Sequence, residues 1–190
     1  MRIMLRDVRL AFPSLWKATA PKAGGEAAFS ASFLLPKNHK QLGELKAAIR
    51  KCAEEKWGAK APAILKALEA SDKTCLHNGD SKSDYEGFEG NLFVSARSKV
   101  RPGVYDQQRQ ELSEADGKPY SGCYVNVSLE LWAQDNSFGK RVNAQLRGVQ
   151  FYRDGDAFAG GARPADADEF DEISAPEEGG ETGEEYDLNS

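Results

Sequence analysis

The 190-residue sequence predicts a mainly β domain of the α+β kind. It should be an antiparallel barrel of about five strands with a helical insertion and a disordered acidic C-terminal tail. Three observations predict it. Apolar and polar residues alternate with period two before residue 37 and after residue 91, the mark of half-buried strands. Between them the apolar spacing changes to three and four, the mark of helix. From about residue 160 periodicity stops and Gly, Pro, Asp and Glu take over, too little apolar surface to offset the entropy of ordering.

The first strand is expected over 3–12, with Val8, Leu10 and Phe12 on one face. A polar, Gly-containing stretch, 17–26, reads as a long loop. Phe29, Ala31, Phe33 and Leu35 alternate with Ser30, Ser32 and Leu34, a strand that Pro36 ends. Asn38 followed by Gln41 resembles a capping box. Leu42, Leu45, Ile49 and Cys52 then form a helical stripe. Gly58 after Trp57 is the expected left-handed cap, and Pro62 opens a second short helix through Leu65 and Leu68. Residues 71–90 read as a loop, and Trp16 and Trp57 as packing residues.

Over 92–100, Leu92, Val94, Ala96 and Val100 take one face, while Phe93, Ser95, Arg97 and Lys99 take the other. Arg101-Pro102-Gly103-Val104 has the residues of a type II turn, and a polar hairpin-like excursion, 106–119, follows. The longest strand turns Cys123, Val125, Val127, Leu129 and Leu131 inward, and Tyr124, Asn126, Ser128, Glu130 and Trp132 outward. In the last strand Arg141, Asn143, Gln145 and Arg147 alternate with Val142, Ala144 and Leu146, and Gly148 marks a bulge that changes the facing. The five-stranded OB-fold suits this pattern. The barrel domain is placed at 1–160 and the tail at 161–190.

The formal charge of −5 conceals an asymmetry. Asp166, Asp168, Glu169, Asp171, Glu172, Glu177, Glu178, Glu181, Glu184, Glu185 and Asp187 lie in 164–190, which holds no Lys or Arg. The preceding 163 residues therefore keep nineteen acids against all twenty-five bases. A basic body with an acidic tail points to a polyanionic ligand and a built-in competitor for it. Cys52, Cys75 and Cys123 are odd in number and lack CxxC spacing, which argues against a disulfide framework or a zinc ribbon and for reduced thiols. No metal and no cofactor are expected. No apolar run approaches a membrane span, and the first ten residues lack the apolar stretch of a secretory signal.

The outward faces carry the chemistry. A single-stranded nucleic acid exposes phosphates and unstacked bases together, so its binding calls for cations beside flat rings. Arg97, Lys99, Arg101, Arg141 and Arg147 are the candidate phosphate contacts, and Phe93 and Tyr124 the candidate stacking rings, with Asn126 between them. These groups are expected to gather in one open furrow outside the barrel wall. In the 71–90 loop, Lys82, Tyr85 and Phe88 fit two roles, a clamp over bases or a plug for the barrel end. Outward polar residues and rings also occur simply as solvated positions and cross-strand pairs. The tail can likewise act as a tethered rival to DNA or as a solubility tail. A protein-interaction module whose tail imitates DNA is the rival reading, and it predicts no oligonucleotide binding even without the tail. A third option is a metal nuclease built on His77, Asp80, Asp84 and Glu86. Catalysis otherwise has little support, since no P-loop, GxSxG or Rossmann fingerprint is present.

Five segments extend this reading: LAFPSLW (10–16), FSASFLLPK (29–37), RPGVYD (101–106), YSGCYVNVSLELWAQ (120–134) and GVQFYRDGDAF (148–158). With them the chain resembles a family of tailed-phage single-stranded DNA-binding proteins, over nearly all of its body. The resemblance implies an OB-fold, binding of single-stranded DNA with little sequence preference, and a part in phage replication, recombination or repair in the host cytoplasm. It also implies an acidic C-terminus that modulates DNA binding and recruits replication proteins. A homodimer is compatible with it. Many such proteins end in an aromatic residue, whereas here Tyr186 and Leu188 precede Asn189 and Ser190.

Overall fold

A computed structural model of the chain describes residues 1–158. The proposed domain boundary at 160, and the tail carboxylates from Asp166 to Asp187, lie outside the described residues. Seven strands and two α-helices follow in the order β1 (Arg2–Thr19), β2 (Ala28–Pro36), α1 (Leu42–Trp57), α2 (Ala61–Ala70), β3 (Leu76–Asn78), β4 (Asn91–Ser98), β5 (Gly103–Tyr105), β6 (Tyr124–Asn136) and β7 (Gly139–Arg153).

Five strands close the barrel. β1 lies between β2 and β6, β2 pairs with β4, and β6 pairs with β7, all antiparallel. A parallel contact between Arg97 of β4 and Gln145 of β7 completes the ring. This is the OB-fold, with its helical insertion between the second and third barrel strands. β3 adds to β4, and β5 runs parallel to β7.

The inward positions are those the alternation predicts. Leu5, Val8, Leu10, Phe33, Leu35, Val94, Val127, Leu129, Leu131 and Leu146 are fully or almost fully buried in one core. Each such side chain stabilises the fold by roughly 1.5–3 kcal/mol on burial. Leu45, Ile49 and Cys52 of α1, with Leu65 and Leu68 of α2, join that same core, so the insertion covers one part of the barrel. Gly58 ends α1 at φ 54, donating its N–H to the Glu54 carbonyl, and Pro62 sits in the first turn of α2. At Gly148 the register of β6 and β7 shifts. The inward set accordingly changes from Val142, Ala144 and Leu146 to Val149 and Phe151, as the bulge reading requires.

Several local expectations are corrected. Asn38 does not cap α1. The N-cap is Gln41, whose side-chain amide instead accepts from Arg6 N–H at 2.7 Å and donates to the Met4 carbonyl at 2.9 Å. The first strand runs on to Thr19, and Phe12 leaves the inward face. Phe12 has φ 48 at a register irregularity, which rotates its ring outward. Residues 101–104 form no type II turn, because Gly103 begins β5 and holds no positive φ. Val100 is exposed rather than inward, since β4 ends at Ser98. The 71–90 loop contains the short strand β3. The hairpin-like excursion is present: Tyr105 bridges Glu111, and Asp106 Oδ1 accepts from the N–H groups of Gln108 and Gln110.

Candidate nucleic-acid interface

Around the barrel, β4, β7 and β6 are consecutive neighbours, so the three outward faces read from the sequence are contiguous. Arg97 pairs with Gln145, and Gln145 with Glu130. Arg97, Lys99, Trp132 and Gln145 together line a recess of about 520 Å³. A second recess, of about 270 Å³, shares Arg97 with the first and crosses β4, β2 and β1 to Phe12, over a floor that includes Ser30, Ser32 and Ser95. Arg97 therefore borders both recesses of this furrow, one with Trp132 and the other with Phe12.

The furrow has the three kinds of group that an unpaired strand needs: cations for phosphate, rings for bases, and small polar side chains that tolerate any base edge. Trp132 is 46% exposed and Phe12 48%. Phe138, 88% exposed, sits in the turn that joins β6 to β7 and lines neither recess. The cations already hold an internal anion. Lys99 Nζ lies 2.6 Å from Glu26 Oε2, and Arg97 Nη2 donates to the Glu26 carbonyl at 3.2 Å. The hydrogen bond from Lys99, followed by its charge, holds the Glu26 carboxyl below its ordinary range. Glu26, on the β1–β2 loop, thus supplies the anion beside Lys99. Arg101 packs against Trp16, its guanidinium 5.3 Å from the ring centroid.

Other sequence-predicted residues lie elsewhere. Phe93 does face outward, but it is only 3% exposed. It belongs to a second apolar cluster outside the barrel, with Ala11, Leu34, Phe88 and Phe158. Phe88 packs edge-on to it at 5.1 Å, and His77 stacks on it at 4.9 Å. Lys82 Nζ lies 5.2 Å from the same ring. Phe88 is thus a plug, and neither its ring nor that of Phe93 is open to a base. Tyr85 stays exposed, edge-on to Phe12 at 5.0 Å.

Tyr124 stands at the far end of β6 from Trp132, with the Arg153 guanidinium 3.6 Å from its ring centroid and Arg9 at 5.6 Å. Arg153 Nε in turn donates to Asp7 Oδ1 at 3.0 Å. Asn126 accepts from Asp7 N–H and donates to Gln150, so its amide serves the β1 bulge. Arg147 is paired to Glu130 at 2.6 Å. Arg141 is exposed on β7. The candidate set is thus divided between regions rather than gathered in one furrow. Arg97 and Lys99 share a recess, Arg101 packs beside Trp16 and Tyr85 beside Phe12, Phe93 and Phe88 are buried, and Tyr124 and Asn126 contact Arg153 and Asp7 respectively.

The proposed nuclease cluster does not assemble. His77 Nδ1 is 2.7 Å from Asp72 Oδ1, while Asp80 accepts from Gly90 N–H and lies 3.6 Å from Lys37. Among the described residues no three His, Cys, Asp or Glu side chains converge as a metal site, and no helix is long and apolar enough to cross a membrane. The three cysteines are buried and unpaired. Burial pushes the Cys75 and Cys123 thiols up to about 12.

Sequence reasoning missed Phe12, Phe138 and the serine floor, and read Trp132 only as an outward residue. The signal for Trp132 was available, since it shares the outward period of Ser128 and Glu130. Phe12 carried no such signal, because its outward turn depends on the backbone irregularity.

Known proteins share this fold. The family model described as the single-stranded DNA-binding protein of Enterobacter phage Enc34 matches residues 1–180. A protein designated p50, from Acyrthosiphon pisum secondary endosymbiont phage 1, is 47% identical over 181 residues, 94% of this chain and 97% of the relative. The solved structure of the bacteriophage Enc34 protein in complex with ssDNA superposes with a TM-score of 0.70 at 30% identity, covering 83% of this chain and 89% of that one. Bacteriophage T7 gp2.5, a single-stranded DNA-binding protein, shares the fold at a TM-score of 0.52 and 15% identity, over 90% of this chain and 98% of its own. The chain belongs to the Enc34 family of phage single-stranded DNA-binding proteins.

Proposed function

We propose that the chain coats single-stranded DNA without catalysis and with little sequence preference, along the furrow centred on Arg97. The observation that carries this reading is the recess where Arg97 and Lys99 stand beside the half-exposed Trp132 and open toward Phe12. Arg97, Lys99 and Arg101 hold phosphates, with Arg141 and Arg147 as outer contacts. Trp132, Phe12 and Phe138 offer stacking faces, and Tyr85 flanks Phe12. Binding without base readout fits the role of protecting exposed strands during phage replication, recombination or repair in the host cytoplasm. The complex with ssDNA formed by the Enc34 relative supports the reading.

The acidic tail is the competitor. Its carboxylates repeat the demand that Glu26 makes on Lys99, at a local concentration set by the tether. Freed by DNA, the tail is available to basic replication proteins. A labelled oligo-dT titrated at two salt concentrations, with the full chain and with the chain ended after Arg163, tests both parts. Binding should weaken steeply with salt, and truncation should tighten it most at low salt. Equal affinity of the two chains removes the tail from the account. Absence of binding in both removes DNA and leaves the DNA-mimic reading.

A further inference from the structure

The outward face of β7 leads away from the recess of Arg97 and Trp132. Gln145 lines that recess, the exposed Arg147 follows, and Gly148 and Gln150 line a separate groove of about 400 Å³. Gln145 and Gly148 lie about 10 Å apart, at roughly 3.3 Å of strand rise per residue. One row of paired residues builds the groove: Met4 of β1, Ser128 of β6, Gly148 of β7 and Gly103 of β5. Its two middle positions are small, so the row is walled only at its ends. Met4, exposed, is one wall. The other is the exposed ring of Tyr105, which lies back over Gly103 so closely that a Cβ there would come within 2.7 Å of it.

Positive charge follows the same track. Arg147 Nη1 at 2.6 Å and Arg2 Nε at 4.0 Å share the one carboxylate of Glu130, which leaves a cation in excess between the recess and the groove. Arg109 lines the groove from the 106–110 turn, which Asp106 fixes by accepting from the Gln108 and Gln110 N–H groups. Among the described residues no carboxylate pairs with the Arg109 guanidinium. The amides of the groove already serve each other and the turn: Asn126 donates to Gln150 Oε1, and Gln150 donates to the Asp106 carbonyl. Neither is set to select one base edge. What remains is a flat ring, an apolar wall and a cation, the groups that bind any base alike.

We propose that this groove is a further nucleotide subsite, where a base of the bound strand stacks on Tyr105 and its phosphate meets Arg109, with Arg147 and Arg2 carrying the backbone across from the furrow. The inference rests on the furrow reading and extends it: the strand continues around the barrel wall along β7 and does not end at Trp132.

The test titrates the full chain with oligo-dT of about 4 and about 16 nucleotides, the range one OB-fold covers. Tyr105→Leu keeps apolar bulk and removes the flat face. It should weaken the longer oligonucleotide about fivefold or more and barely alter the shorter one, while Tyr105→Phe keeps wild-type binding. Arg109→Gln should weaken the longer one and lower its log–log salt slope by about one. In the unaltered, isotope-labelled chain the Tyr105 ring and Arg109 Nε–H signals should shift with the longer oligonucleotide, a readout that needs no variant to fold. Signals that do not move overturn the proposal. Unchanged affinity of Tyr105→Leu for the longer oligonucleotide, with Trp132→Ala still weakening it, overturns the subsite and keeps the furrow. No effect of either variant removes the furrow as well. A free chain that self-associates in sedimentation, and loses this in Tyr105→Leu, overturns the proposal by making the occupant a second copy.

Discussion

Phe93 and Arg97 stand four residues apart on the same outer face of β4, and their surroundings are opposite. At the Phe93 end the barrel wall is covered. Phe88 comes down from the loop before β4, and Phe158 arrives from the strap after β7. The strap is tied at each step: Asp154 accepts from Tyr120 Oη at 2.5 Å, Arg9 Nη2 donates to the Asp156 carbonyl at 2.7 Å, and Phe158 N–H donates to the Ser121 carbonyl at 3.1 Å. Gly87, at φ 84, lies where a Cβ would collide with the Phe158 ring. At the Arg97 end, among the described residues, no such aromatic cover lies on the wall; the β1–β2 loop brings Glu26 to Lys99 and Arg97, and Trp132 and Phe12 stay half-exposed. An outward position on a strand is therefore a surface only where the rest of the chain leaves it one.

The sharpest break between the two regions is expected from Phe93→Ala. It should cost about 3–5 kcal/mol of stability in urea unfolding, as large-to-small core changes do, with oligo-dT affinity of the folded protein unchanged. Lost DNA binding at full stability would show that the covered end opens to DNA. Trp132→Ala should do the reverse, costing about 1–3 kcal/mol of oligo-dT binding at wild-type stability. Tyr124→Ala, whose ring is already taken by Arg153, should cost no stacking energy. Arg97→Ala should weaken binding equally for all sequences and lower the log–log salt slope by about one. Glu26→Gln should tighten binding about two- to threefold at low salt, by freeing Lys99 from a screened surface pair; unchanged affinity would mean that phosphate does not use Lys99.

The smallest effect concerns alkaline stability. The Tyr120 phenol is pushed up to about 12 from an ordinary 10.0, first by burial and then by its hydrogen bond to Asp154. The unfolded chain releases that proton first. Stability should therefore be flat below pH 10 and decline toward pH 12, with Tyr120→Phe removing part of that decline. A matching slope in the variant would mean that the strap is held without this phenol.

Much of the barrel was legible in advance. The inward residues of β6, the change of facing at Gly148, the positive φ of Gly58 and the Pro62 helix start each follow from local periodicity or from one residue's backbone freedom. The contiguity of the β4, β7 and β6 faces was implied by the closure rule of the OB-fold. The site was only partly legible. Arg97 and Lys99 were read as outward, and are exposed, because charge at a position of that period is visible in sequence. Phe93 was misplaced because alternation identifies the side of a strand and says nothing about a loop lying over it. A usable hint was present: Leu34 and Phe93 are large apolar residues, both outward and directly paired across β2 and β4, and such a pair seldom faces water without a cover.

The one-dimensional pattern determined which residues fill the barrel, where the helices interrupt it, and that a basic body is joined to an acidic end. Those properties are local or additive, since burial follows strand period and charge is a count. Only the folded arrangement decided which outward groups meet solvent, that Glu26 sits on the cations of β4, and that Phe12 turns out into the furrow at a positive φ. These depend on contacts between segments distant in the chain, such as Phe158 with Gly87 and Glu26 with Lys99. No window of sequence contains both members of such a pair, so their meeting is a property of the closed barrel alone.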